Sequence, residues 1–186
     1  CRGEVGYKWW IFPFQLCSVP MYLCLIAPLI KQGRVAKGMY NFMMTYNLLG
    51  GFITFFEPSG INLGYLFLTL HAYVWHMSLV FIGLFINFSG FGGRSLKDYR
   101  SATITFVALC VIAFCINVLL MDASGGTINM FFVGPKNSSL IVFKDISQRF
   151  GWYVSTLLYI PVFCLGAFCV FLPSYLVGKR QSAKAL

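Results

Sequence analysis

Charged side chains are scarce in this chain, and their scarcity excludes most soluble folds. Of 186 residues, 14 are Lys or Arg and five are Asp or Glu, whereas 59% are hydrophobic and 18% are aromatic. A soluble domain usually carries about 25% charged residues. The alternating segments of about ten residues that are typical of a membrane barrel are also missing. The composition therefore predicts an all-α integral membrane protein.

Metal-binding patterns are missing as well. His71 and His76 are the only histidines and fall in one predicted helix, which excludes a haem held by histidines from facing helices. No Cys-x-x-Cys pair occurs, and six of the seven cysteines lie in apolar stretches, where most of them serve for packing. No basic stripe interleaved with aromatics suggests a nucleic acid. We predict no metal, no cofactor and no nucleic-acid partner.

Long apolar runs are what the sequence does contain. A membrane helix needs about 20 mostly apolar residues, and five stretches without Asp, Glu, Lys or Arg qualify: 9–30, 38–56, 61–88, 101–121 and 152–176. We expect them to form one polytopic transmembrane domain over residues 1–186. Its location would be the cell membrane or, in a eukaryote, the endoplasmic reticulum or another endomembrane.

The distribution of basic residues predicts the orientation. Loops on one side of the predicted spans hold nine bases and one acid, and loops on the other side hold five bases and four acids. Basic loops are retained on the cytoplasmic side of a membrane. The difference, +8 against +1, predicts an external N-terminus and a cytoplasmic C-terminus.

Residues 122–151 form the longest predicted connection and are not simply polar. They contain two apolar patches, GGTINMFFVGP and SSLIVF. Apolar patches of this size rarely remain in water, so we predict that the segment packs over the bundle mouth as a lid. The alternative is a loop that rests on the lipid headgroups.

Two prolines flank polar residues in the first predicted span, in the stretch FPFQLCSVP. Pro20 has no N–H for the carbonyl of Leu16, which predicts a helix kink near Cys17. Gln15 and Ser18 would supply hydrogen bonds to freed backbone groups or to a developing oxyanion. Neither role explains Cys17, because a thiol is a weak hydrogen-bonding group.

His76 lies in the third predicted span on a helical face of small and polar residues. The others on this face are Thr69, Ala72, Tyr73, Gly83 and Asn87. A histidine within a membrane is costly and generally faces a cavity or another helix. The alternative to a functional role is a histidine satisfied by a backbone carbonyl, or by Asn47 or Asn117.

Cys17 and His76 fall at compatible depths in two predicted helices that run in the same direction. A nearby imidazole activates a thiol as a nucleophile. We predict a catalytic pair whose sulfur and ring nitrogen lie roughly 3 to 5 Å apart. Substrate contacts are predicted for Gln15, Ser18, His71 and Asn129.

Three parts of the sequence resemble the YwaF-like bacterial membrane proteins, a family that includes the animal transmembrane protein 164. They are FPFQLCSVPMYLCL, the His76 helix and NMFFVGP. The resemblance implies a cysteine acyltransferase that moves a fatty acyl chain between phospholipids, with Cys17 and His76 as the pair. It also implies further helices before Cys1. Trp75 stands where related sequences often carry a second histidine.

Two functions remain open at the level of sequence. One is a membrane-embedded acyltransferase or lipid hydrolase that acts on a phospholipid or lysophospholipid. The other is a non-enzymatic bundle, either a small-solute transporter or a subunit of a membrane complex, whose polar groups serve as contacts between helices.

The predicted orientation has a direct test. Single cysteines placed at Ser95 and at Ser138, in a background without native cysteines, are exposed to an impermeant thiol reagent outside intact cells. We expect labelling at position 138 and none at position 95, because basic loops stay inside. Labelling at position 95 alone would overturn the orientation.

Overall fold

The computed structural model describes residues 7–30, 33–62 and 64–184, and all regular elements in these ranges are helical. Three helices are long and apolar enough to cross a membrane: α4 (Leu66–Ser89), α5 (Leu96–Leu119) and α7 (Trp152–Lys184). The prediction of an all-α membrane protein is confirmed at this level. Cys1, Arg2, Glu4 and Lys31, which entered the predictions above, lie outside the described residues.

Shorter helices make up the rest of the fold. They are α1 (Val19–Ile26), α2 (Arg34–Phe42), α3 (Leu48–Ile53) and α6 (Ile141–Phe150), with a π-helical segment at Met43–Asn47 and 3-10 turns at Trp9–Ile11, Pro58–Gly60 and Met130–Phe132.

The first predicted span is not one kinked helix. Residues 12–18 are irregular, and α1 begins at Val19 with Pro20 in its first turn. The first N–H groups of a helix have no intrahelical acceptor, so a proline there costs nothing. Pro20 therefore lies in the first turn of a short helix that begins after Cys17, and the predicted kink near Cys17 was wrong.

The second predicted span begins earlier than expected and contains a π-helical turn. Helical elements follow one another without a break from Arg34 to Ile53. Within them, Thr45 Oγ1 donates to the carbonyl of Asn41 at 2.7 Å. Such bonds compete with the regular helical ladder, which accounts for a local departure from α geometry here.

Tyr46, in the π-helical segment, anchors a buried polar cluster. Its side chain is 0% exposed and stacks on Phe106 at a ring distance of 4.3 Å. Its hydroxyl lies 2.9 Å from Thr103 Oγ1 and 3.2 Å from Cys164 Sγ. The cluster gives the buried Tyr46 hydroxyl partners on both α5 and α7, which avoids the cost of an unpaired polar group in an apolar interior.

The chain divides into two compact units. The first combines Cys1–Gln15 with Leu109–Ile160, and the second combines Leu16–Ala108 with Pro161–Leu186. Cys17, Trp75 and His76 all belong to the second unit.

Glycines bring α3 and the π-helical segment very close to α4 within the second unit. A Cβ on Gly51 would lie 3.2 Å from the carbonyl oxygen of His76, and one on Gly83 would lie 2.7 Å from Leu48 Cβ. Small residues allow this approach in helical membrane proteins. As a result, the His76 turn of α4 is held directly against α3.

The connection between α5 and α7 is folded within the first unit. Met130 and Phe131 are both 0% exposed, and the ring of Phe131 lies 5.8 Å from that of Phe14. The first apolar patch is thus packed, whereas Ile141 and Val142 of the second patch are 59% and 67% exposed. That the segment covers the bundle mouth stays a prediction.

Gly83→Val should destabilise the protein, because the added side chain meets Leu48 and the carbonyl of Met43. Overpacking of this kind costs about 1–3 kcal/mol. The measurement is the thermal unfolding midpoint of the purified protein in detergent. Gly60→Val is the control, since nothing lies within 4 Å of a Cβ there. Equal midpoints for the two variants would contradict the close packing.

Candidate active site around Cys17 and His76

Cys17 lies in the turn that leads into α1, and its side chain is partly buried. The neighbouring Leu16 sits against α3, since a Cβ on Gly50 would lie 3.4 Å from Leu16 Cδ2. In the first turn of α1, Pro20 has no N–H, and the N–H of Met21 donates to the carbonyl of Ser18 at 3.2 Å. The positive end of the helix dipole favours negative charge close to Cys17.

Trp75 fixes the backbone of Cys17 to α4. Its indole Nε1–H donates to the carbonyl oxygen of Cys17 at 3.1 Å. Because residues 12–18 are irregular, this carbonyl has no helical partner to accept from, and the indole supplies one. The bond joins the candidate nucleophile to the residue immediately before His76.

His76 is buried on the inner face of α4, with 9% of its surface exposed. Its Nδ1 lies 2.8 Å from the carbonyl oxygen of Ala72. A carbonyl only accepts hydrogen bonds, so Nδ1 carries the proton and Nε2 keeps its lone pair. Nε2 is therefore the atom equipped to act as a base.

The alternative partners considered for His76 make hydrogen bonds to other groups, although Asn47 Oδ1 is buried without a partner among the described residues. Asn47 Nδ2 donates to the carbonyl of Leu79 at 3.1 Å, and Asn117 binds the loop after α5. A backbone carbonyl does satisfy His76, as the non-functional alternative expected, but only at Nδ1. Among hydrogen bonds of the described residues, none joins the Cys17 thiol to the His76 ring, so their direct contact stays a prediction.

Gln15 makes its hydrogen bonds to the connection between α5 and α6 and not to its own span. Its Oε1 accepts from the N–H of Phe131 at 3.3 Å, and its Nε2 lies 3.5 Å from the carbonyl of Asn129. Phe131 and Phe132 have φ angles of 55° and 56°. Such angles are strained for bulky residues and persist only where surrounding contacts impose them.

Asn117 of α5 also binds the turn that contains Phe131 and Phe132. Its Nδ2 donates to the carbonyls of Met130 and Val133 at 2.9 and 2.6 Å, and its Oδ1 accepts from the N–H of Met130 at 2.7 Å. Two amide side chains thus clamp the strained turn. Asn129 Oδ1, by contrast, is buried with no hydrogen-bond partner among the described residues.

The remaining candidates occupy different surroundings. The side chain of Ser18 interacts with the Cys17 thiol, whereas His71 is exposed. Cys24 is also exposed, and its thiol lies 3.7 Å from Met43 Sδ. Among the described residues, no cluster of three His, Cys, Asp or Glu side chains is placed to hold a metal.

Sequence reasoning missed the roles of Trp75, Asn117 and the amide of Gln15 as backbone partners. A signal was available in the sequence: a side chain that can donate hydrogen bonds, in an otherwise apolar stretch, indicates that some irregular backbone segment needs a partner. A sequence alone does not show which distant segment each side chain reaches, because Trp75 lies 58 positions from Cys17.

These features define a helical membrane protein with a cysteine and a histidine in one unit. A family model described as the TMEM164 family matches residues 4–172. The chain belongs to the TMEM164 family, which confirms the resemblance to transmembrane protein 164. Searches of curated proteins and of solved structures gave no match.

Trp75→Phe should loosen the Cys17 turn, because the carbonyl of Cys17 loses its donor. A net hydrogen bond of about 1 kcal/mol predicts a roughly fivefold faster alkylation of Cys17. The rate is measured in membranes with a lipid-soluble maleimide and peptide mass spectrometry, with Cys24 as the internal reference. Trp152→Phe is the control, and an unchanged Cys17 rate in Trp75→Phe would contradict this role.

Proposed function

We propose that this protein is a membrane-embedded lipid acyltransferase or lipid hydrolase that uses Cys17 as nucleophile and His76 as base. The observation that carries the proposal is the hydrogen bond from Trp75 to the Cys17 carbonyl. It places the backbone of a partly buried cysteine beside the turn of α4 that bears His76. Membership of the TMEM164 family supports a membrane role.

In the first half-reaction, His76 Nε2 takes the proton of the Cys17 thiol. The thiolate attacks the ester carbonyl carbon of a phospholipid, and a carbon–sulfur bond forms. The ester carbon–oxygen bond then breaks. The departing lysolipid oxygen takes the proton from the imidazolium ring, which leaves an acyl-cysteine and a neutral histidine.

In the second half-reaction, a lysophospholipid hydroxyl or water gives its proton to His76 and attacks the thioester. The carbon–sulfur bond breaks, and the Cys17 thiolate recovers the proton. Transfer to a lysolipid makes the protein an acyltransferase, whereas transfer to water makes it a hydrolase. The acceptor that reaches the thioester decides between the two.

Negative charge that develops on the ester oxygen needs donors near Cys17. We assign this role to the Ser18 hydroxyl, assisted by the positive end of the α1 dipole. In α1, Ser18 occupies the N-cap position without making a side-chain cap bond. Its hydroxyl interacts instead with the Cys17 thiol and so lies beside the proposed reacting sulfur.

Gln15, His71 and Asn129 are proposed as substrate contacts of different kinds. Asn129 offers a buried oxygen that lacks a protein partner, and exposed His71 would meet a lipid at the periphery of α4. Gln15 would act through the outer turn that it holds.

The arrangement in the membrane is part of the proposal. The two predicted spans that the structure builds from shorter elements would lie in the bilayer with the three long helices, giving five passes. The N-terminus and residues 122–151 would face outwards, with 122–151 as a lid. The charge difference between the two sets of loops supports this orientation.

Cys17→Ala and His76→Ala should each abolish transfer of an isotope-labelled acyl chain from phosphatidylcholine to lysophosphatidylcholine or water. Loss of a nucleophile or of its base removes the covalent route. Cys24→Ala is the matched control, because Cys24 belongs to the next helix and is exposed. The assay uses proteoliposomes, and products are measured by lipid mass spectrometry.

A thermal unfolding midpoint accompanies each variant, so that misfolding is separated from loss of chemistry. Full activity in a folded Cys17→Ala or His76→Ala protein would refute the pair. A wild-type protein without any acyl transfer would favour the non-enzymatic bundle.

A further inference from the structure

Basic residues from three separate segments of the second unit are packed at one end of it. We call this region the basic end: the start of α2 (34–37), the turn into α5 with its first residues (94–100), and the last residues of α7 (179–184). Arg94 links two of the segments, since its guanidinium donates to Gln181 Oε1 at 3.0 Å. Gly178 permits this approach, because a Cβ there would lie 2.7 Å from Arg94 Cβ.

The remaining segment, the start of α2, is joined to the start of α5 by side chains of α2. Lys37 Nζ lies 2.8 Å from Asp98 Oδ1, and Asn41 Oδ1 accepts from the N–H of Gly93 at 2.8 Å. Asn41 also donates to Ser101 Oγ at 2.8 Å. The basic end is therefore a folded surface and not a set of independent loops.

Positive charge at the basic end is almost uncompensated. The three segments contain eight Lys and Arg residues and a single acid, Asp98. Asp98 already pairs with Lys37 and accepts from the N–H and hydroxyl of Ser95 at 2.9 and 2.5 Å. Seven cations remain: Arg34, Arg94, Lys97, Arg100, Lys179, Arg180 and Lys184.

The helix dipoles add to this imbalance. The positive N-terminal end of a helix favours acidic residues, but the first turn of α2 contains none and Arg34 is its first residue. At the start of α5, Asp98 is outnumbered by Lys97 and Arg100. Like charges held together destabilise a compact state, so the basic end is suited to an external anion.

Exposed apolar side chains adjoin the basic end. Val35 is 66% exposed, Phe88 79% and Leu96 52%, and Leu176 and Val177 precede the cations of α7. A soluble anion or a nucleic acid would gain nothing from such neighbours. A lipid offers both an anionic headgroup and acyl chains, which match the cations and the apolar side chains respectively.

We propose that the basic end is a binding surface for the headgroups of anionic phospholipids in the membrane. Orientation alone does not require this surface, because the retention of basic loops depends on how many cations the loops carry and not on their packing together. The proposal is independent of the Cys17 and His76 chemistry.

The test is native mass spectrometry of the full chain, released from micelles that contain equimolar phosphatidylglycerol and phosphatidylcholine. Wild-type protein should retain phosphatidylglycerol preferentially. In the triple variant Lys97→Gln, Lys179→Gln, Arg180→Gln, the preference should fall roughly tenfold or more, because each base near a membrane surface contributes separately. All three side chains are exposed, so the fold should survive.

The matched control is Lys136→Gln, Lys144→Gln, Arg149→Gln, which removes the same charge from residues 122–151 and should leave the preference unchanged. Lys97→Arg with Lys179→Arg should also retain it. In a separate arm, inorganic phosphate should fail to displace the lipid, which distinguishes a headgroup site from a free-phosphate site.

Equal retention of the two lipids by the wild type would overturn the proposal. So would an unchanged preference in the first triple variant, an equal loss in the control, or displacement by inorganic phosphate. Should the triple variant not insert, the single variants replace it, and their preference should fall in steps.

Discussion

The backbone of a chain in an apolar layer must satisfy its own hydrogen bonds, and much of this structure follows from that constraint. Long helices satisfy it internally. The two irregular segments do so through distant side chains: Trp75 donates to the carbonyl of Cys17, while Gln15 and Asn117 hold the turn at residues 129–133. The same bonds fix the segments that carry the candidate functional residues. In this protein, the irregular backbone therefore carries the candidate nucleophile, while the candidate base His76 lies in the regular helix α4.

The three long helices were predictable because uninterrupted apolar runs determine them. The expected 101–121 and 152–176 appear as Leu96–Leu119 and Trp152–Lys184. The form of the first two spans was not predictable, because it depends on local chemistry. Pro20 lies in the first turn of a helix where a kink was predicted, and a π-helical turn interrupts residues 34–53. The inward face of α4 follows from helical periodicity. The hydrogen-bond partners of Trp75 and Gln15 do not follow from periodicity, because each bond joins residues far apart in sequence.

The polar groups within the helices and the charged groups at the basic end have different roles. Within the helices, polar side chains such as Tyr46 and His76 are engaged by neighbouring groups of the protein. At the basic end, one acid serves eight bases, and the remaining charge is left to the surroundings. The candidate nucleophile and the proposed lipid surface thus both belong to the second unit, with different chemistry: a covalent step at Cys17 and headgroup recognition by lysines and arginines.

Trapping of the covalent intermediate tests the central claim most directly. The protein in proteoliposomes is incubated with a phospholipid that carries an isotope-labelled acyl chain, quenched with acid, digested and analysed by peptide mass spectrometry. The account predicts the labelled acyl group on Cys17, removable by neutral hydroxylamine as expected for a thioester, and none on Cys24. Label on Cys24 alone, or phospholipid turnover without any acyl group on Cys17, would contradict it.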